Sequence, residues 1–423
     1  MLYEETYKEY QKLKPHFFDD ELKRLKNEHL FQFIQKRGDE LSKDRSRIHH
    51  LMIFAVHFYL TLITIFTILK LLFLNKNKLK AQYLISSPTT SSAYDPRSKT
   101  VLKFLNPKKT CNFIHCGDLR KAFINSLNVN NAVYFESILF MLLLFTNQSE
   151  SSNVLEFLNK KKNEIKKELA LIEFIFKTLK IKSFICIDDS RNTSTFCFVC
   201  KKMGIKSIAY QHARFNKYHV GLETANFDKY LVWSNYFKDL LKAINNNYTD
   251  EKIIVCSHPS ISFDSKTIQR NKNIIMFLEE SNFKLSQALP LMKIFDSSIK
   301  IIYRKKPGMK QTDFEKINNI IFSGENDLFT DLKFYKPSVI IGSESTVLLE
   351  SWLLGIPSIA VKNKIDYAYH LFDHNLIECS ETLEELDALV KKYLRLTKEE
   401  LIDQKQKIWR GAKTPSVYSK YLN

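Results

Sequence analysis

The segment "IIGSESTVLLESWLLGIPSIAV" (340–361) contains residue types that bind phosphate and ribose. An apolar run ends in the polar loop "GSEST" (342–346), where Ser345 or Thr346 is placed to cap a following helix. The free N–H groups and the dipole of such a helix start favour an anion. A purely structural strand–helix–strand unit has a similar pattern, but it does not need the carboxylate of Glu350 inside an apolar helix. The candidates for binding a nucleotide here are Gly342, Ser343, Ser345, Thr346 and Glu350.

A run of three cations, "RKK" (304–306), closes the apolar stretch "IKIIY". This stretch is typical of a buried strand, so the cations stand at the carboxyl end of a strand, where ligands bind in α/β sheets. There they can meet a phosphate or a carboxylate. A solvated basic turn is the other interpretation that the pattern allows. The candidate residues are Arg304, Lys305 and Lys306.

Titratable residues also follow two apolar stretches in the first half of the chain. "DDSRNTS" (188–194) follows "SFICI", and Asp188 or Asp189 is a candidate general base. An ordinary helix N-terminus capped by Asp and Ser has the same composition. "YQHARFNKYHVG" (210–221) follows "IKSIA" and concentrates side chains that can bind or deprotonate a substrate. These side chains are Gln211, His212, Arg214 and His219.

All of these residues follow strands of a predicted α/β architecture. From residue 81 onward, short apolar runs alternate with helical segments, which predicts parallel, doubly wound sheets. A length of 423 residues favours two domains. We predict two Rossmann-like domains, 81–265 and 266–423, that face a cleft, preceded by a helical region over residues 1–80.

Residues 51–69, "LMIFAVHFYLTLITIFTIL", carry no formal charge when His57 is neutral. Their length is near the minimum of the roughly 17–25 residues that a membrane-spanning helix needs. Basic residues flank both ends, so a span would export one basic flank against the positive-inside tendency. A helix that lies in the cytoplasmic leaflet suits both flanks. A buried core helix has the same composition, so the sequence predicts membrane association and leaves its mode open.

The composition limits the class of partner. A net charge of +18 favours anionic partners, but the lysines are scattered without a zinc-finger or RNA-binding signature, so no nucleic acid is expected. Seven cysteines and a start, "MLYEETYKEYQKL", that is not a signal peptide favour the cytoplasm. Cys197 and Cys200 of "CFVC" are interpreted as core residues, and neither a metal nor a cofactor site is expected.

The stretch "PSVIIGSESTVLLESWLLGIPSIAV" resembles the nucleotide-binding element of GT-B glycosyltransferases. It is most similar to the capsule and surface-polysaccharide group, which includes 3-deoxy-manno-octulosonate transferases, bacterial sialyl- and polysialyltransferases and polyol-phosphate transferases. The matching positions are Gly342, Ser345, Thr346, Glu350, Gly355 and Pro357. In the first half, Gln211, His212, Asp228 and Trp233 match the family's "Gln-His-Gly … Asp-x-x-x-x-Trp" run, and the resemblance covers about residues 81–423.

Three positions depart from the family pattern. Ala213 replaces the Gly of "Gln-His-Gly", Ser190 replaces a Gly after the acidic pair, and Lys306 stands where a phosphate-binding His is expected. The "SHP" at 257–259 also contains a His-Pro pair, but its place ahead of "NIIMFLEES" favours an interdomain linker.

The resemblance implies metal-independent transfer of a sugar from a nucleotide-sugar, with a CMP-linked donor among the options. The acceptor would be a surface polysaccharide or a glycolipid at the inner face of the plasma membrane. Asp189 or His212 would deprotonate the acceptor hydroxyl, and Lys306 with the loop 342–346 would bind the donor phosphate. Two alternatives remain open. One is a polyol-phosphate transferase that uses the same site, and the other is an inactive partner in polysaccharide assembly.

Overall fold

The computed structural model describes residues 3–17, 30–31, 33–34, 47–74, 79–86, 101, 103–116, 123, 131–144, 154–187, 193–215, 219–263, 267–280, 283–306, 320–324, 326–362 and 376–422. The chain divides into two compact units. Unit 1 comprises Met1–Val232, Lys238–Ile254 and Ser416–Asn423. Unit 2 comprises Trp233–Phe237 and Val255–Pro415.

Unit 1 is built around a seven-stranded sheet with the order β3-β2-β1-β4-β5-β6-β7. Its strands are β1 (Lys80–Ser86), β2 (Thr110–Cys116), β3 (Ala132–Val133), β4 (Ser183–Ile187), β5 (Lys206–Tyr210), β6 (Lys229–Val232) and β7 (Ile253–Val255). The first helices along the chain are α1 (Tyr3–Phe17), α2 (Arg47–Leu74), α3 (Phe135–Leu143), α4 (Val154–Thr178), α5 (Thr193–Met203), α6 (Val220–Thr224) and α7 (Asn235–Ile244).

Unit 2 contains a six-stranded sheet with the order β10-β9-β8-β11-β12-β13. Its strands are β8 (Asn271–Leu278), β9 (Lys300–Arg304), β10 (Ile320–Ser323), β11 (Pro337–Gly342), β12 (Ser358–Val361) and β13 (Glu378–Ser380). The remaining helices are α8 (Leu285–Met292), α9 (Leu328–Tyr335), α10 (Val347–Glu350), α11 (Leu383–Arg395), α12 (Lys398–Ile408) and α13 (Ser416–Leu422), and a 3₁₀ turn covers Ser351–Leu354. The final helix, α13, returns to unit 1.

Both sheets follow the doubly wound pattern that the sequence predicts. The pairs β1–β2, β1–β4, β8–β9 and β8–β11 are all parallel. In each sheet, the first strand lies between its second and fourth strands, so the direction of winding reverses beside β1 and beside β8. Ligands of open α/β sheets bind outside the carboxyl ends of the strands at this switch point. In unit 2 the switch point lies between β8 and β11.

Hydrogen bonds from two tryptophan side chains fix helix α10 and the 3₁₀ turn that follow β11. The indole of Trp352 donates to Ser358 Oγ at 3.1 Å, and the indole of Trp409 donates to the carbonyl of Leu349 at 3.2 Å. Trp409 also stacks on Trp233, with ring centroids 5.7 Å apart. All three indoles are fully buried, so their hydrogen bonds fix helix α10 against the core of unit 2.

Cys197 and Cys200 are buried on α5 as free thiols, which confirms that "CFVC" belongs to the core.

Candidate active site

The loop "GSEST" lies at the switch point of the unit 2 sheet, directly after β11. The buried carboxylate of Glu280, two residues beyond the end of β8, accepts hydrogen bonds from the backbone N–H of Ser343 at 2.7 Å and of Glu344 at 2.6 Å. Burial raises the pKa of Glu280, and the N–H groups of Glu344, Ser343 and Ser345 oppose that rise. A carboxylate of the chain itself therefore occupies two of the amides that the sequence suggests for a phosphate.

Gly342 allows this contact because it has no side chain. A Cβ atom at this position would lie 2.5 Å from Glu280 Oε1 and 3.0 Å from Leu278 Cδ1. The Gly that the family pattern shares at this position thus has a local physical reason in this chain: β11 must pass close to the residue that orders the loop.

Helix α10 carries Glu350 one turn after the loop. Ser345 Oγ accepts a hydrogen bond from the N–H of Val347 at 3.3 Å, whereas Thr346, at the N-cap position, makes no capping hydrogen bond through its side chain. The Glu350 side chain is 14% exposed. Burial raises its pKa to about 7, and the charge of Arg304 opposes that rise. Glu350 is therefore a carboxyl group that changes its protonation near neutral pH.

The imidazole of His258 faces Glu350. Its Nε2 lies 3.7 Å from Glu350 Oε1, which is an ion-pair distance but too long for a hydrogen bond. On the other side of the ring, Nδ1 accepts a hydrogen bond from the N–H of Ser260 at 3.2 Å. A neutral His258 therefore carries its proton on Nε2, the nitrogen directed at Glu350. The rings of Trp233 and Phe329 contact the imidazole edge to face.

The three predicted cations have different surroundings. The buried guanidinium of Arg304 pairs with Asp331 through Nε at 3.1 Å and donates from Nη2 to the carbonyl of Asn326 at 3.0 Å. The ammonium of Lys305 lies over the ring of Phe322, 5.2 Å from its centroid. Lys306 is exposed, and its backbone N–H donates to Glu279 at 3.2 Å. Only Lys306 therefore has both an exposed side chain and a position beyond the end of β9.

The other predicted residues belong to unit 1. Gln211 is buried after β5, where its side-chain amide donates to the carbonyl of Ala213 at 3.0 Å. His212, Arg214 and His219 are half-buried. Asp188 and Asp189, the predicted base, lie outside the described residues. The part of unit 1 that the structure describes therefore shows a polar segment after β5 and leaves the base a prediction.

The segment after β5 is anchored by residues that carry no predicted role. Asn245 donates from its side-chain amide to the carbonyls of Leu222, Glu223 and Ala225 at 2.8, 3.1 and 2.9 Å. The Glu223 carboxylate accepts hydrogen bonds from three side chains of α1, which are those of Tyr7, Tyr10 and Gln11. The N-terminal helix thus fixes α6, which begins directly after His219.

Sequence reasoning missed Glu280 and Asp331 and interpreted His258 as a linker residue. Each of them reaches the site through a contact between segments distant in the chain: Glu280 with Ser343, Asp331 with Arg304, and His258 with Glu350. Among the described residues, no group of three or more His, Cys, Asp or Glu side chains is placed to hold a metal ion.

Comparison with known proteins identifies the fold. The chain is similar to the crystal structure of Acinetobacter baumannii MurG, with 11% identity over 81% of this chain and 98% of that chain and a TM-score of 0.50. It is also similar to CalG4, the calicheamicin glycosyltransferase, with 8% identity over 82% of this chain and 98% of that chain and a TM-score of 0.53. The chain has the GT-B fold.

The GT-B fold accounts for the two parallel sheets and confirms the predicted fold class. No protein-family model matches the chain, and no curated protein matches its sequence. The narrower resemblance to the capsule and surface-polysaccharide group therefore stays a prediction.

Proposed function

We propose that this GT-B chain transfers a sugar from a nucleotide-sugar donor to a glycan or glycolipid acceptor. The observation that carries the proposal is the position of Glu350, a mostly buried carboxyl group beside the switch point of the unit 2 sheet, with His258 3.7 Å away. This is where open α/β sheets bind nucleotides. The resemblance of "GSESTVLLESWLLGIP" to the donor element of surface-polysaccharide transferases supports the same assignment.

In the proposed donor complex, the ionised carboxylate of Glu350 accepts hydrogen bonds from the ribose hydroxyls. The Nε2–H of His258, the hydroxyls of Ser345 and Thr346 and the ammonium of Lys306 stabilise the phosphate that departs with the nucleotide. Charge on the phosphate grows as the sugar leaves, so donors already in place lower the barrier. Asp189 or His212 takes the proton of the attacking hydroxyl, and Gln211, Arg214 and His219 position the acceptor.

The test is a thermal-shift panel of CMP, CDP, UDP and GDP, because a nucleotide that binds only the folded chain raises its melting temperature. We expect one base to stabilise the wild type, Glu350→Gln to abolish that shift, and the exposed control Glu399→Gln to retain it. Donors of the stabilising base are then assayed for nucleotide release with mixed glycan and glycolipid acceptors. Stabilisation by none of the four nucleotides, with no nucleotide released, would refute the proposal.

A non-catalytic role in polysaccharide assembly is the second candidate, and one observation favours it. The N–H groups of Ser343 and Glu344 already donate to Glu280. A donor phosphate at the loop must therefore either accept hydrogen bonds from fewer amide groups or displace the Glu280 carboxylate. Nucleotide binding without release of nucleotide from any donor supports this role over transfer. Release of CMP from a CDP-polyol, rather than release of a nucleotide from a nucleotide-sugar, identifies a polyol-phosphate transferase.

A further inference from the structure

Between Met52 and Phe73, helix α2 (Arg47–Leu74) turns the polar side chains of His57, Thr64 and Thr67 toward the protein and most of its large apolar side chains away from it. The buried positions are His57, Leu60, Thr64, Thr67 and Leu71. They recur at alternating steps of three and four residues, which places them on one stripe of the helix. Three of the five are polar. A helix on the surface of a protein in water has the opposite arrangement.

The buried stripe is fixed to unit 1 by specific contacts at the middle of the helix. The backbone N–H of Tyr134, directly after β3, donates to Thr64 Oγ1 at 2.9 Å. His57 Nδ1 lies 3.1 Å from Ser137 Oγ, and the His57 ring stacks on Phe140 with centroids 4.0 Å apart. Burial lowers the pKa of His57, although Glu136 opposes this effect. Residues 51–69 therefore carry no charge at neutral pH.

The opposite stripe exposes large apolar side chains from Met52 to Phe73. They include Met52, Phe58, Leu62, Phe66, Leu69 and Phe73, of which Phe66 is 71% and Phe73 82% exposed. Met52–Phe73 is long and apolar enough to cross a membrane, and only 22% of its most apolar window is buried. A core helix is mostly buried, so this low burial among the described residues is unlike that of a core helix. A continuous exposed apolar face of this length marks a surface that contacts lipid or protein.

We propose that α2 is a membrane anchor that does not span the bilayer. Its Phe- and Leu-rich face lies in the acyl region of one leaflet of an anionic bilayer, and the opposite face, which contains Thr64, stays packed against the rest of unit 1. A span would bring the segment of unit 1 that contacts Thr64 to the level of the bilayer centre, where burying polar protein groups in lipid is costly. A helix in the plane of the interface leaves unit 1 in water and inserts only the exposed stripe.

The charges beside the helix favour lipid over a second copy of the chain. Basic residues precede the apolar segment at Lys43, Arg45 and Arg47, and others follow it at Lys70 and Lys76. An in-plane helix brings both flanks to the anionic headgroups, each cation contributing to binding. Two copies paired through the same face would bring basic ends together in either orientation, which is repulsive. This inference does not depend on the proposed transferase activity.

Flotation of the full chain with vesicles tests the anchor. We expect binding to vesicles of phosphatidylcholine and phosphatidylglycerol, and weaker binding to phosphatidylcholine alone. The double variant Phe66→Glu/Phe73→Glu should bind at least about ten-fold more weakly, because two inserted aromatic rings are lost. Phe334→Glu is the matched control, since Phe334 is 75% exposed on α9 in unit 2. Its binding should equal that of the wild type. Equal binding by the double variant and the control would overturn the proposal.

Two further measurements separate the other occupants. Single substitutions of Met52, Leu62 and Phe73 by tryptophan report insertion depth through quenching of their fluorescence by brominated lipids. For an in-plane helix we expect the same shallow depth at all three positions. A deep Leu62→Trp between shallow ends would show a span and refute the proposal. Sedimentation without lipid measures self-association. If the wild type forms a dimer that Phe66→Glu/Phe73→Glu dissociates, and the wild type does not bind vesicles, the apolar face belongs to a second copy. That result would also refute the membrane anchor.

Discussion

The carboxylate of Glu280 occupies the space that a side chain at Gly342 would need, since a Cβ there would lie 2.5 Å from Glu280 Oε1. Gly342→Ala should therefore displace the carboxylate from the N–H groups of Ser343 and Glu344. We expect the free energy of unfolding of unit 2 to fall by about 1–3 kcal/mol, the cost of buried polar groups that lose their partners. Urea unfolding followed by tryptophan fluorescence measures it, because Trp233, Trp352 and Trp409 all lie in unit 2.

A double-mutant cycle isolates this contact. In a Glu280→Ala background the carboxylate is absent, so Gly342→Ala should cost clearly less than it does in the wild type. Equal costs in both backgrounds would show that the contact with Leu278, rather than that with Glu280, excludes a side chain at Gly342.

Glu350 should make unit 2 less stable as the pH rises. Its pKa is raised from 4.5 to about 7 in the folded chain, so the unfolded chain loses this proton first. Between about pH 4.5 and 7 the folded chain holds more protons, and the free energy of unfolding decreases by about 3 kcal/mol through this group. Glu350→Gln should remove that part of the slope in tryptophan-detected urea unfolding at a series of pH values. Parallel curves for the variant and the wild type would contradict the raised pKa.

Donor binding should respond to the same proton in the opposite direction. If the ionised Glu350 accepts the ribose hydroxyls, the affinity for the stabilising nucleotide should increase as the pH rises through about 7. Isothermal titration calorimetry across this range measures the dependence. Wild-type affinity that is flat between pH 6 and about 8 would argue against a ribose contact by the ionised carboxylate.

Arg304 should stabilise the structure of unit 2, whereas Lys306 should contribute to nucleotide binding. Arg304→Ala leaves Asp331 buried without its counter-charge, so unit 2 should lose about 3–5 kcal/mol of stability. Lys306→Ala changes an exposed side chain and should stay within about 0.5 kcal/mol of the wild type. Nucleotide affinity of the Lys306 variant should fall several-fold at low salt. A stable Arg304→Ala, or a Lys306→Ala with unchanged affinity, would reverse the assignment of that residue.

Glu223 should control the order of the N-terminal helix. Glu223→Ala removes the acceptor of Tyr7, Tyr10 and Gln11, which should reduce the free energy of local opening of α1 by about 2 kcal/mol. Hydrogen exchange in peptides from residues 3–17 should then be roughly 30-fold faster. Glu223→Gln retains a carbonyl acceptor and should keep most of the protection. Unchanged exchange in Glu223→Ala would show that the apolar contacts of Tyr10 alone hold the helix.

The sequence predicts the fold well because its strands are apolar runs that need no partner to be recognised. All six residues of β11 are buried, and the carboxylate of Glu350 attracts attention as the one charge in its apolar helix. The strands β3 and β13 escape such a search. β3 has only two residues and β13, "ECS", has no apolar run, so pairing with a neighbour rather than composition defines them.

The sequence predicts only some of the residues of the candidate site. Glu280 looks like an ordinary polar residue after a strand. It becomes a ligand of Ser343, 63 residues further along the chain, only because β8 pairs with β11. Asp331 similarly looks like a solvent-facing acid in the first turn of α9, yet it is buried against Arg304. Local composition cannot report contacts that the sheet order creates.

The path of the chain between the units has a consequence for chimaeras with other GT-B proteins. The backbone enters unit 2 at Trp233, leaves it at Lys238, enters again at Val255 and leaves at Ser416. A single junction near residue 255 would carry away α13, whose buried Tyr418 stacks on Phe104 of unit 1 with centroids 5.5 Å apart. It would also separate Trp233 from Trp409. An exchange of unit 2 must therefore be grafted at several junctions, with the native sequence restored from residue 416 onward.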